Sequence, residues 1–397
     1  MSEIVDVRSV LLSAPYAHED NLEVQAHLST DHRTCGFIEV TLDDGTTGLG
    51  EGYLPVFAPH VFEAIVELVG SYLTGKDATD IAARHHDLRQ ICDYWSRQGA
   101  ARHVISACEI ALVDAKAKQL GVPAYDLFGG KAVDSVRLYG SGGDSVTPTD
   151  MAAEFDLLVE SGIDRFKIRA LTAQPEKAAW TLEQAAERGI DVGIDMTQSL
   201  ADPAQKVPDV VRFLDSVRER TEERIAFLED PLNPFDTDGY RLLRRKVDPK
   251  IAGGETITTS RELNRQIRAG MFDIAQPDAT VIGGIREVLN VFRTANENGA
   301  ETVVHCWGGP ASLLANYHAA FAGGGRLAEW PMPQYPLREE MLVDPLDIED
   351  GCLNAPSAPG LGVELSEDIE SSYEFREDAI YSCLPNADEQ IDEGVWD

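Results

Sequence analysis

The chain has 397 residues, 43% of them hydrophobic, which suits two or three domains or one barrel with an accessory domain. Its 68 Asp and Glu against 34 Lys and Arg give a formal net charge of −34, so nucleic acid is not an expected partner. No apolar run reaches the roughly 18 residues of a membrane span, and the acids are spread through periodic apolar segments, which argues against an acidic disordered chain.

Only 9 of the cations are Lys, the other 25 being Arg. So acidic a surface repels itself unless salt screens it, so a folded protein of a salt-rich cytoplasm is expected. The start, "MSEIVDVRSV", lacks the apolar stretch of a signal peptide. Six cysteines (35, 92, 108, 306, 352, 383) form no C-x-x-C pair, so neither a disulfide framework nor a zinc knuckle is indicated.

Residues 1–130 read as a small α+β unit. "FIEVTL" alternates and leads into Asp44-Gly45, the signal of a hairpin turn. "PHVFEAIVELVGSYLTG" and "ARHVISACEIALVDAKAKQLG" have helical periodicity, the second stopping at Gly121 before Pro123. From about residue 131 to 345 short apolar runs alternate with helical segments. The runs are "VRLYGS", "RFKIR", "DVGID", "IAFLED", "KIAGGE", "FDIAQPD", "TVVHCW" and "RLAEW". Eight βα repeats predict an α/β fold, a closed parallel barrel of TIM type. A doubly wound open sheet is less favoured, because no G-x-G-x-x-G follows the first strand. Residues 346–385 read as a C-terminal segment that packs back on the first domain, completing it as a cap. Residues 386–397 read as an acidic disordered tail.

In such a barrel the site lies at the C-terminal ends of the strands. Lys167 and Arg169 share one face of the second strand. Asp195, Glu229 and Glu255 end the third, fourth and fifth. So many acids in one barrel mouth need a counter-charge, and an all-oxygen set suits Mg²⁺. Asp278 and His305 end the sixth and seventh: an Asp on one ring nitrogen raises the basicity of the other, making an acid/base dyad. Glu329 ends the eighth. Singly, each acid could be a helix cap or a surface charge; in register they form a site. In the first domain the polar loop 15–34, with His18, His27, His32 and Arg33, and Tyr53, in "GEGYLPVF", suit a polyhydroxylated anion, though a solvated loop is the plain alternative. Trp307 reads as a pocket wall or as core.

The ordered motifs "FKIR", "DMTQ", "LEDPL", "AGGET", "QPDATVIGGI", "VVHCWGG" and "AEW", with "DDGTTGLGEG", "ALVDAKAKQLGVPAYDLFGG" and "APGLGVEL", resemble the enolase superfamily, within it the mandelate racemase subgroup, over residues 3–370. The resemblance implies a modified (β/α) barrel with an N-terminal α+β cap, and Mg²⁺-dependent removal of the proton α to a carboxylate. It makes Asp195, Glu229 and Glu255 the metal ligands, Lys167 a carboxylate clamp or base, and His305, oriented by Asp278, an acid or base. Glu329 would donate to a carboxylate oxygen if protonated, which needs a raised pKa. Two departures matter. Arg169 stands where two-base members usually carry a second lysine, and arginine is a poor base. Thr197 stands where Asn is common, which leaves that substrate contact open. Loss of the second base favours β-elimination over racemisation, so dehydration of an aldonate or aldarate to a 2-keto-3-deoxy acid is the expected reaction. A cycloisomerase of an aldaric lactone, a racemase or epimerase, and a non-catalytic sensing relative are the alternatives, and a homodimer or octamer is implied.

Overall fold

The computed structural model describes residues 2–16, 31–144, 147–197, 204–381 and 396. Strands β1 (Ile4–Pro15), β2 (His32–Leu42) and β3 (Thr47–Gly52) form an antiparallel sheet in that order. The β2–β3 turn passes through Gly45 at φ +85°, a conformation glycine adopts at no steric cost. Helices α1 (Pro59–Leu73) and α3 (Ala100–Leu120) pack on this sheet, and α2 (Ile81–Cys92) packs on those two helices. The β3 sequence, TGLGEG, puts glycine at every second position. A Cβ on Gly48 would lie 2.1 Å from the Ala111 carbonyl oxygen, and one on Gly50 2.0 Å from that of Ala107. The glycine face therefore lets α3 lie directly on the strand, which is why α3 is buried almost all round.

Eight parallel strands follow: β4 (Ser135–Gly142), β5 (Arg165–Arg169), β6 (Asp191–Asp195), β7 (Ile225–Glu229), β8 (Lys250–Gly253), β9 (Ile274–Ala275), β10 (Glu301–Thr302) and β11 (Leu327–Pro331). Each pairs with the next from β4 to β10. β11 pairs with β4, and a bridge between Val304 and Ala328 joins the remaining gap, so the sheet closes into a barrel. The helices between them are α4 (Pro148–Glu160), α5 (Pro175–Arg188), α6 (Val207–Arg218), α7 (Thr237–Leu243), α8 (Ser260–Arg268), α9 (Ala279–Ile282), α10 (Ile285–Glu297) and α11 (Pro310–Gly323).

The sixth and seventh strands are much shorter than the apolar runs 272–278 and 302–307. Pro277 has no N–H to give a ladder, and Asp278 already caps α9, accepting from the Thr280 amide. Glu255 likewise lies beyond β8, in a turn after Gly254 at φ +115°.

The C-terminal segment touches both parts. A hairpin of β12 (Ile348–Glu349) and β13 (Cys352–Asn354) adds antiparallel to β4. Leu361 then donates to Asp114 Oδ1 of α3 at 2.7 Å. Residues 373–381 run beside the first sheet, with Ser13 N to Tyr373 O at 2.9 Å and Thr34 Oγ1 to Ala379 O at 3.0 Å. The acidic tail lies outside the described residues apart from Trp396, whose ring meets Trp180 edge-on at 5.4 Å. Among the described residues the cysteines are free and no helix is long and apolar enough to cross a membrane.

Candidate active site

A cavity of about 290 Å³ opens at the C-terminal ends of the barrel strands and is roofed by the first domain. Alternation on β5 sends Lys167 and Arg169 to one side, and both line it. Lys167 Nζ lies 2.6 Å from Glu229 Oε1 and 2.9 Å from Glu329 Oε1, joining β5 to β7 and β11. All three are buried, both glutamates completely. Burial opposes the charge on Lys167, but Glu229 and Glu329 outweigh it and hold the ammonium pKa well above its ordinary value. Arg169 instead pairs with Asp144 at 2.9 Å.

His305 Nδ1 lies 2.8 Å from Asp278 Oδ2. The other oxygen of Asp278 accepts from Thr280 N, Thr280 Oγ1 and Asn316 Nδ2, so the carboxylate is fixed from behind. The Asp278 carboxylate holds the Nδ1 proton and turns Nε2 toward the cavity, 3.5 Å from Glu255 Oε2 and 4.0 Å from Glu329 Oε2. Burial pushes the His305 pKa down, but Glu255, Glu329 and Asp278 together raise it to about 10.

Glu329 differs from the protonated donor required by the sequence reading. Burial pushes its pKa up, yet Lys167 and His305 outweigh that and bring it down to about 2. It is an ionised acceptor, taking the Cys306 amide at 2.7 Å. The raised carboxyl is Glu229, through burial and the neighbouring Asp195, Glu255 and Glu329.

Asp195, Glu229 and Glu255 follow one another around the rim. Asp195 Oδ1 accepts Thr197 N at 2.7 Å and Thr197 Oγ1 at 3.0 Å, and Glu229 Oε2 accepts from Gln276 Nε2. Among the described residues no three Asp, Glu, His or Cys side chains are gathered as the ligand set of one ion. Thr197 and Asp230, each next to a rim acid or two residues on, have φ of +46° and +39°. Strain of this kind at non-glycine residues collects where chain geometry serves a site.

Tyr53, Thr197 and Trp307 line the cavity, and the Tyr53 ring meets the His305 ring edge-on at 6.2 Å. His18 and His27 lie outside the described residues. Arg33, expected from the first-domain loop, lines the cavity from β2, and His103 from α3 and Tyr381 from the C-terminal segment, which the sequence did not single out, line it too. His103 is buried enough that its pKa falls to about 4, so it stands there neutral. No local motif marks His103 or Tyr381. The one available signal was that the α3 histidine interrupts an otherwise apolar stripe.

Residues 17–129 match the family model for the mandelate racemase / muconate lactonizing enzyme N-terminal domain, and residues 150–369 match the enolase C-terminal domain-like model. The chain is 30% identical to a D-galactonate dehydratase of Variovorax paradoxus, over 84% of this chain and 89% of that one. It superposes on the 3,6-anhydro-D-galactonate cycloisomerase of Zobellia galactanivorans with a TM-score of 0.81 at 25% identity, over 94% and 99% of the two chains. The L-talarate dehydratase of Polaromonas sp. JS666, solved with Mg and L-glucarate, shares the fold at a TM-score of 0.79 and 24% identity, over 94% and 98%. With both halves of the architecture matched and the acids, lysine and His–Asp pair at their strand ends, the chain belongs to the enolase superfamily, in its mandelate racemase subgroup.

Proposed function

We propose that the protein is a sugar-acid dehydratase, removing water across the α and β carbons of an aldonate or aldarate to give a 2-keto-3-deoxy sugar acid. The carrying observation is the asymmetry of the cavity. One side holds a cation, Lys167, locked between two carboxylates, and the other holds an imidazole aimed by a buried Asp.

Lys167, held charged, clamps the substrate carboxylate and stabilises charge that develops on it. His305 Nε2 takes the α proton in its neutral form, then returns it to the departing β-hydroxyl, so the proton leaves in water and the enol relaxes to the ketone. Asp278 keeps the ring oriented through both steps. Arg169, tied to Asp144, stays a cation and supplies no second base, so racemisation is disfavoured.

The acids Asp195, Glu229 and Glu255 fit a hard divalent cation by chemistry: three carboxylates at or just past the ends of adjacent strands, Glu229 being raised by its burial and then by the other acids. These residues would hold Mg²⁺, which supplies Lewis-acid stabilisation of an enediolate. The same field raises His305, and a bound dication would offset it. The likeness to the Zobellia cycloisomerase supports a second reading, loss of a ring oxygen in place of hydroxide. A net charge of −34 supports work in a salt-rich cytoplasm.

The test is a panel of sugar acids with Mg²⁺ at high salt, 2-keto acid being trapped with semicarbazide. Exchange of the α proton in D₂O without keto acid would make the enzyme an epimerase, and no exchange would favour a sensing role.

A further inference from the structure

Arg33 comes from β2 of the cap and is 4% exposed, yet it lines the cavity. One terminal nitrogen donates to the Trp307 carbonyl, and its guanidinium carbon lies 5.8 Å from the centre of the Tyr53 ring. Its Nε is buried with no partner. Among the described residues Arg33 makes no ion pair.

Other inward-turned arginines are neutralised: Arg102 by Asp93, Arg244 by Asp273 and Arg169 by Asp144. Arg338 is also unpaired, but its terminal nitrogens reach the carbonyls of Pro331, Pro333 and Gly308. Among the described residues Arg33 has no carboxylate partner and only one carbonyl, that of Trp307. Glu51 lies in its field, but that carboxylate is spent on the start of α11, accepting Gly309 N at 2.6 Å and Ser312 N at 2.9 Å. A permanent cation out of water and without a counter-ion is costly unless a ligand supplies one.

The cavity thus offers positive groups from two sources. Lys167, on the barrel, serves the carboxylate beside the reacting carbon. Arg33, on the cap, has no role in that chemistry and faces the same space. Resting on the sugar-acid reading above, we propose that Arg33 binds a second, distal carboxylate, and that the substrate is an aldaric diacid in preference to a monocarboxylic aldonic acid. Planar, two-point pairing is what a guanidinium offers a carboxylate.

The experiment compares matched pairs that differ only in the terminal group: galactarate with galactonate, glucarate with gluconate, and two further stereoisomeric pairs. For the preferred stereochemistry, kcat/KM for the diacid is expected to exceed that of its monoacid by roughly 10- to 100-fold. Arg33→Gln should bring the ratio near one, and Arg33→Lys should keep part of it. A wild-type ratio at or below one in every pair, or a ratio untouched by Arg33→Gln, overturns the proposal. If Arg33→Gln does not fold, the wild-type ratios still decide. Thermal protection by each acid is read alongside, without turnover. Stronger protection by diacids in an enzyme that forms no keto acid strikes the dehydratase reading and leaves the subsite standing. Equal or absent protection by the diacids strikes the subsite.

Discussion

His305 Nδ1 and Asp278 Oδ2 stand 2.8 Å apart inside the barrel wall, and the Asp has its other oxygen committed to three protein donors. An aspartate so fixed cannot follow a moving ring; it dictates where Nε2 points. His305→Asn should lower kcat by at least about 1,000-fold, because acid and base are lost together. Asp278→Asn should cost about 100-fold or more, since Asn can present its N–H and stabilise the wrong tautomer. Keto-acid formation measures both, and circular dichroism should show the fold unchanged in His305→Asn.

The rim acids predict a metal response that needs no turnover. Mg²⁺ should raise the melting temperature of the wild type, and a hundredfold excess over Kd corresponds to roughly 3 kcal/mol. Glu255→Gln should remove most of that shift, because Glu255 lies in the turn past β8 and makes few protein bonds of its own. Equal shifts in both proteins would place the ion elsewhere.

The barrel side of the site was readable because each residue ends a run that betrays its strand. Lys167, Asp195 and Glu229 fall within strands whose bounds are those of the apolar runs to within a residue. The cap side was readable only in part: Arg33 and Tyr53 stood out as polar groups, but not what they meet. Arg33 meets Trp307 across 274 positions of sequence, and His103 reaches the cavity only because α3 lies tight on β3. The protonation of Glu329 was also beyond sequence: it depends on Lys167 and His305 together outweighing burial. The lengths of β9 and β10 failed for a local reason, a proline and a cap ending the ladder early.

That tight seat can be tested directly. Gly50→Ala puts a Cβ 2.0 Å from the Ala107 carbonyl oxygen, on helix backbone that cannot yield. It should cost about 3 kcal/mol or prevent folding. Gly45→Asn, at a turn with nothing within 4 Å of the added Cβ, should change stability by less than about 1 kcal/mol. Denaturant midpoints compare the two.

The net charge of −34 predicts salt-dependent stability. Repulsion between surface carboxylates acts over about 10 Å at 0.1 M salt and about 3 Å at 1 M. The melting temperature should rise steadily with KCl across that range. Sucrose at matched osmolality separates charge screening from general exclusion, and should reproduce only a minor part of the rise.

A pH experiment isolates one buried carboxyl far from the rim. Glu109 of α3 caps α10, taking Ile285 N at 3.0 Å and Arg286 N at 3.3 Å. Burial raises its pKa from 4.5 to about 7, against those two bonds. Between these values the folded protein keeps a proton that the unfolded chain has lost. The stability Glu109 contributes is therefore full below about pH 4.5 and is lost as pH rises through 7. His318 opposes this: burial lowers it from 6.5 to about 4, so its contribution is present above pH 6.5 and lost as pH falls. The wild-type curve mixes the two slopes and can look flat. The difference between Glu109→Gln and wild type removes the histidine from the comparison. Gln stays neutral, so the variant should gain on the wild type from about pH 5 to about pH 8, by at most about 3 kcal/mol. Paired urea titrations at the two pH values measure it, and a difference that does not change with pH would mean that Glu109 is already ionised in the folded protein at pH 5.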